Sequence, residues 1–374
     1  MQASRGTSRR GKIVLAILAA CTLILTGCLN GPMSSLDAQG QFARSANRLF
    51  EDVFVIVVIV FVLVEGAIVW FLFKYREKPG DPIPVQIHGH TRAEVVWTVI
   101  PALILAGVAI PTVKMIFDFA AVPPAATRID ACVTGHQWWW EYQYMKTNSE
   151  TCPHIGNVDA NTVSVTTANE LHIPIKTPVY LTLQSVDVIH SFWAPKLNGK
   201  QDLVPGHSNH ITIEADKPGV YLGQCSQYCG LSHANMRLRV IAQTRSDYDA
   251  WLSAQEQPGA VPTDPQALAG MQLFLNGRNG SGYFANKSDP ACSGCHTIDG
   301  LSVNGVQALG TKGPNLTHLE SRLYFAGDTF QLTDANLHSW LENPPAMKPG
   351  VDMPDLGLTQ GEISDLIAYL DTLR

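Results

Sequence analysis

The sequence predicts a multi-domain membrane protein: a two-helix transmembrane hairpin, then an all-β domain, then an all-α domain. Three observations carry this reading. Residues 53–73 and 95–113 are long apolar runs with one formal charge between them, that of Glu65. Residues 127–245 alternate in short strand-like stretches separated by Gly, Pro and Asn clusters, the pattern of a β-sandwich or barrel. A helical pattern resumes at Gln266 behind a Pro- and Gly-bearing stretch. Composition agrees. Of 374 residues, 46% are hydrophobic and only 16% charged, against roughly 25% charged in an ordinary soluble domain. That excludes a disordered chain, and a net charge of −6 argues against nucleic acid as a partner.

The N-terminus reads as an export signal. Arg5, Arg9, Arg10 and Lys12 precede an apolar stretch, 13–25, too short to span comfortably. It ends in Leu25-Thr26-Gly27-Cys28, which resembles a bacterial lipobox. Residues 1–27 are therefore expected to be a lipoprotein signal peptide, and Cys28 the lipid-bearing first residue of the mature chain. Removing four positive charges would take −6 to −10.

Residues 28–120 hold the hairpin. The runs of 21 and 19 residues each reach roughly 30 Å as helices, the thickness of the hydrocarbon core. The first is rich in Val and Ile and would read as strand in water. A lone strand cannot satisfy its backbone in lipid, whereas a helix can. Pro101 and Pro111 are tolerated in a membrane helix. Lys74, Arg76, Lys78 and Arg92 in the connector make it cytoplasmic, so everything after residue 113 faces outward. Glu65 is expected to face a partner subunit or polar cavity.

The β domain, 121–255, concentrates its chemistry in one loop, Cys225-Ser226-Gln227-Tyr228-Cys229-Gly230-Leu231-Ser232-His233-Ala234-Asn235-Met236, with an isolated His190 upstream. Two thiolates, two imidazoles and a thioether form a soft donor set suited to copper. Two cysteines four apart can bridge two coppers, each completed by one His and one weak axial ligand. A disulfide between Cys225 and Cys229, structural zinc, or a satisfied core His190 are the alternatives.

The loop resembles the dinuclear CuA motif of cytochrome c oxidase subunit II. His190-Ser191-Phe192-Trp193-Ala194-Pro195 resembles the upstream ligand segment of that family. Gly135-His136-Gln137-Trp138-Trp139-Trp140 is similar to its aromatic segment over the copper, and Glu94-Val95-Val96-Trp97-Thr98-Val99-Ile100-Pro101 to the start of its second membrane helix. The resemblance spans roughly residues 45–245 and implies a cupredoxin-like fold. It implies copper ligation by His190, Cys225, Cys229, His233, Met236 and the backbone carbonyl of Gln227. It implies that electrons from a cytochrome c come in at Trp138, and that Glu94 lies at the mouth of a proton path into the large subunit. Gln227 stands where the family usually has Glu. A carbonyl ligand is indifferent to that change, but an amide serves a neighbouring Mg²⁺ poorly, which puts that site in doubt.

Residues 256–265 read as a linker. In the last domain, 266–374, Cys292-Ser293-Gly294-Cys295-His296 signals covalent haem c in an exported protein. Cys292 and Cys295 would form thioethers and His296 would ligate iron. Gly313-Pro314-Asn315-Leu316 and Lys348-Pro349-Gly350-Val351-Asp352-Met353-Pro354 resemble the surroundings in a class I cytochrome c, which makes Met353 the sixth ligand ahead of Met347 and Met271. Thr359 with Glu362 is a capping box opening a final amphipathic helix, 359–373.

Together these features are expected of an electron-input subunit of an aa3-family oxidase with a fused cytochrome c. Subunit I and other oxidase subunits, membrane lipid and a cytochrome c-like donor would be its partners. Residues 256–374 carry 6 basic and 13 acidic residues against 9 and 11 in 121–255, so a basic donor would be steered to the last domain. A membrane-tethered electron shuttle, or the CuA subunit of another respiratory reductase, are the rival readings. Cys132 and Cys152 are a candidate disulfide or two buried thiols.

Overall fold

The computed structural model describes residues 31–374 apart from 87, 148, 150, 154–160, 279–290 and 304. The expected signal peptide and Cys28 lie outside the described residues.

Two helices, α1 (Gln41–Lys74) and α2 (Thr91–Ala120), are long and apolar enough to cross a membrane. Each outruns its apolar stretch, because polar residues continue the helix beyond the bilayer. Pro101 and Pro111 sit inside α2 without ending it. Phe42 of α1 packs edge-on against Phe119 of α2, ring centroids 5.4 Å apart, near the outer end of the hairpin. The chain before α1 is bonded to the next domain. The Gln39 amide donates to the Lys196 carbonyl at 2.7 Å, the Asp216 amide donates to the Gln39 carbonyl at 2.8 Å, and Arg44 pairs with Asp216.

Ten strands follow: β1 (Ile129–His136), β2 (Trp139–Met145), β3 (Val163–Ala168), β4 (Glu170–Pro174), β5 (Val179–Ser185), β6 (His190–Trp193), β7 (Lys200–Leu203), β8 (Asn209–Ile213), β9 (Gly219–Gln224) and β10 (Arg237–Gln243). One sheet runs β3-β2-β1-β5-β8, a second β4-β10-β9, and β6 pairs with β7. The β1–β5 and β4–β10 pairs are parallel and the others antiparallel. Trp140, Tyr142, Leu171, Leu181, Phe192 and Leu238 fill the space between the sheets. Cys132 and Cys152 are disulfide-bonded. Helix α3 (Arg245–Gln255), capped by Thr244, closes the domain.

The last domain is mainly helical: α4 (Pro265–Asn276), α5 (Asp334–Glu342), the short α6 (Pro344–Met347) and α7 (Gln360–Leu370). Its core joins α4 to α7 through Phe274, Ile363, Leu366 and Tyr369. The capping box of Thr359 and Glu362 is present at the start of α7. Two small hairpins add to the helices, β11 (Thr297–Val303) with β12 (Val306–Leu309) and β13 (Tyr324–Phe325) with β14 (Phe330–Gln331). Gly305 at positive φ turns the first of them, and Gly300 at positive φ sits at the irregularity within β11, where a wholly helical domain was expected. The expected linker is held: the Gly259 amide donates to the Asp299 carbonyl at 2.8 Å, and His318 bonds the Gln257 carbonyl.

This domain rests directly on the β domain. Arg239 and Asp328 form a buried ion pair at 2.6 Å, and Glu170 accepts the Leu323 and Tyr324 amides at 2.8 and 3.1 Å. The Arg237 amide donates to the Gly327 carbonyl at 2.9 Å.

Candidate metal centre and cofactor cavity

All six atoms expected around a metal are brought together at one end of the β domain. The Cys225 and Cys229 sulfurs lie 3.7 Å apart and are not disulfide-bonded. Nδ1 of His190 is 4.0 Å from the Cys225 sulfur, and Nδ1 of His233 is 3.5 Å from that of Cys229. The Met236 sulfur is 3.8 Å from Cys229, and the Gln227 carbonyl oxygen is 3.2 Å from Cys225. His190, Cys225, Cys229 and Met236 are buried, while His233 is half-buried.

Local structure explains the convergence. The loop leaves β9, turns through Gly230 at positive φ and enters a short 3-10 turn, His233–Asn235, before β10. His190 opens β6, and its ring lies over Gly135 of β1. A Cβ at Gly135 would approach that ring to 2.7 Å, so the position needs glycine. The other ring nitrogen, Nε2, bonds Asp187 at 2.8 Å, which fixes the tautomer that leaves Nδ1 free. Burial pulls the His190 imidazole pKa down, but the Asp187 carboxylate and the Cys225 sulfur together outweigh it and the net shift is upward. Asp187 also accepts the Gln137 amide at 2.7 Å.

The thiols behave as one acid. Their shared hydrogen bond, with help from His190, pulls Cys225 well below the usual thiol range, and the same bond pushes Cys229 up. Two thiols held 3.7 Å apart, one of them easily deprotonated, mark a place where cations can replace protons. Two free buried thiols, two imidazoles and a thioether fit copper, and the thioether has no use at a structural zinc site.

The second set of predicted residues lines one cavity in the last domain. Cys292, Cys295, His296 and Met353 are all on its wall. Met347 is not, and Met271 is buried in the α4–α7 core. Nδ1 of His296 bonds the Pro314 carbonyl at 2.8 Å, which turns Nε2 toward the cavity. Burial lowers the His296 pKa, keeping the ring neutral and able to ligate. Two thiols, a neutral imidazole and a thioether on a wall built mainly of apolar residues, with Lys312, Arg322 and Asp352 also on it, fit a covalent haem.

Trp138 joins the two sites. It is 7% exposed, and its indole Nε1 donates to the Cys229 carbonyl at 3.0 Å, as does Gln137 Nε2 at 2.7 Å. Gln137, Trp138 and Trp139 also form part of the wall of the cavity in the last domain. Glu94 stands apart from both sites. It is exposed in the first turn of α2, where its Oε1 accepts the His90 amide at 2.9 Å. Asp187 and Pro314 were not singled out from the sequence. An acid three residues before His190, and a carbonyl within the quoted Gly-Pro-Asn-Leu segment, were the available signals.

Comparison with known proteins agrees with this architecture. Residues 129–243 match the periplasmic domain of cytochrome c oxidase subunit II, 32–115 its transmembrane domain, and 277–374 cytochrome c. The chain is similar to cytochrome c oxidase subunit 2 of Alkalihalophilus pseudofirmus, 34% identical over 96% of both chains. It is 32% identical to that of Bacillus sp. PS3, over 81% of this chain and 80% of the relative. Quinol oxidase subunit 2 of Bacillus cereus is 30% identical over 68% of this chain and 83% of its own length. The solved periplasmic domain of subunit II of cytochrome oxidase from Bradyrhizobium japonicum is 29% identical. That match covers 36% of this chain and 97% of that one, with a TM-score of 0.28. The chain belongs to the cytochrome c oxidase subunit II family, in the form that carries a C-terminal cytochrome c domain, and is a component of a haem–copper oxidase.

Proposed function

We propose that this chain is the electron-input subunit of its oxidase: electrons pass from haem c to a dinuclear copper centre and on to haem a of subunit I, where O₂ is reduced to water and protons are translocated. The observation that carries the reading is the position of Trp138, hydrogen-bonded to the copper loop and walling the haem cavity at once. His190, Cys225, Cys229, His233, Met236 and the Gln227 carbonyl would hold copper. Cys292, Cys295, His296 and Met353 would hold haem. When bound, the two groups supply one-electron carriers, with the thioether of Met353 raising the haem potential. The protein's own part is to fix ligands, exclude water and hold Trp138 between the two sites.

The organisation that goes with it is a signal peptide at 1–27, a hairpin at 28–120, a copper domain at 121–255, a linker at 256–265 and a haem domain at 266–374. The chain would cross the cell membrane twice, with both redox domains outside and a lipid on Cys28 on the same face. Subunit I covers the hairpin, a cytochrome c-like donor docks on the acidic haem domain, and Glu94 marks the mouth of a proton path.

Cys225→Ser tests the copper assignment. It should abolish the near-infrared copper band while the haem c spectrum stays; a retained copper band would overturn the assignment. Glu94→Gln should slow turnover while copper reduction stays fast; slowed copper reduction would remove Glu94 from the proton path.

A further inference from the structure

We propose that Lys348 is a positioning residue for electron transfer, pinning the loop that carries the haem's sixth ligand onto the tryptophan segment of the copper domain. The proposal rests on the electron-input reading above. Lys348 is 2% exposed, and its Nζ donates to the Trp138 carbonyl at 2.7 Å and the Ala326 carbonyl at 2.8 Å. A buried ammonium is costly unless its donors are satisfied. Among the described residues no carboxylate pairs with it and burial pulls its pKa down, so the two carbonyls, one from each domain, are the partners that hold the amine in place.

The surroundings are built for this contact. Lys348, Pro349 and Gly350 lead directly to Met353. Ser232, beside His233 in the copper loop, donates its hydroxyl to the Pro349 carbonyl at 2.6 Å. The two ligand-bearing loops are thereby bonded to each other. A Cβ at Gly350, which has φ +88°, would come within 2.9 Å of Leu231 and 3.1 Å of the Trp138 ring. A Cβ at Gly327, φ +73°, would come within 2.5 Å of the Lys348 amine and 2.6 Å of the Trp138 carbonyl. Thr329 adds a hydroxyl bond to the Asn235 carbonyl at 3.0 Å. Close backbone approach at two glycines, with a buried amine bridging it, makes a fixed joint rather than a tethered, diffusing domain.

The test uses the assembled oxidase carrying Lys348→Met and, as a milder variant that keeps the side-chain shape, Thr329→Val. Hydrogen exchange is read at the Arg237, Leu323 and Tyr324 amides, whose bonds cross the joint. Haem c-to-copper transfer is followed after flash reduction, with the copper near-infrared band and the Met–iron charge-transfer band as controls. Lys348→Met should speed exchange at those amides about tenfold or more, and add a slow phase to the transfer with both bands unchanged. Thr329→Val should move both readouts the same way by less. Unchanged exchange and transfer in both variants would overturn the proposal. So would loss of the Met–iron band in Lys348→Met with Thr329→Val unchanged, since Lys348 would then serve only the haem domain's own fold. If the wild-type complex shows no haem-to-copper transfer, the electron-input reading itself fails.

Discussion

Replacing Arg239 by Met probes the joint between the two outer domains away from either ligand set. Arg239 and Asp328 are both buried, paired at 2.6 Å, and the guanidinium lies 3.7 Å from the centroid of the Tyr324 ring. Stranding one partner of such a pair costs about 3–5 kcal/mol. Asp328 has a way to soften that cost. Burial pushes its carboxyl pKa up to about 6, even with Arg239 and Arg237 pulling it down. Glu170 and Tyr142 face the same cluster. Protonating an acid of pKa about 6 at pH 7 costs about 1.4 kcal/mol. Removing the arginine from the neutral acid then forfeits a hydrogen bond and a cation–π contact, about 1.5 kcal/mol more. The sum is about 3 kcal/mol, or roughly 150-fold in the open-to-closed ratio.

The pH dependence follows from the raised carboxyl. The joined state binds this proton more tightly than an exposed aspartate does, so that stabilisation is present at low pH and lost as pH rises through about 6. The Arg239→Met defect should therefore fall to the contact loss alone, about tenfold, at pH 5.5 and deepen by up to about tenfold per unit above 6. Hydrogen exchange at Leu323 and Tyr324, whose amides bond Glu170, reports it directly. A variant-to-wild-type exchange ratio of one, or a raised ratio that stays the same at every pH, would refute the reasoning.

Two further outcomes are expected. Met353→Leu should lower the haem potential, because a thioether opposite histidine raises it; an unchanged potential in redox titration would place the ligand elsewhere. Cys132→Ala should cost about 3 kcal/mol in denaturant unfolding of the β domain, the chain entropy of a loop closed across 20 residues; an unchanged midpoint would contradict it.

Much of both sites was legible because the chemistry is written in short contiguous stretches. Five of the copper-site residues fall within Cys225–Met236, and three of the haem-site residues within Cys292–His296. His190 is remote, yet its own flanking residues identify it. The joint was not legible. Lys348 and Trp138 are 210 residues apart, Arg239 and Asp328 are 89 apart, and none of these pairings has a local pattern. The resemblance marked Trp138 as the point where electrons come in, but nothing in the sequence said that the chain's own C-terminal domain packs against it. The apolar runs located the membrane helices, but not their ends. Polar residues such as Arg44 and Arg48 extend α1 well before the lipid-sized run, and the length of an apolar run does not report how far polar residues carry the helix past it.

The central claim is that one chain would hold a copper pair and a haem c and pass electrons through them to the rest of its oxidase. The most direct measurement is metal content and optical spectrum on the complex purified through this chain. The account predicts two copper atoms and one covalent haem c per chain at the sites described, together with the haem a signal of a co-purifying subunit. Zinc in place of copper, or a chain that isolates free of any haem a-bearing subunit, would contradict it.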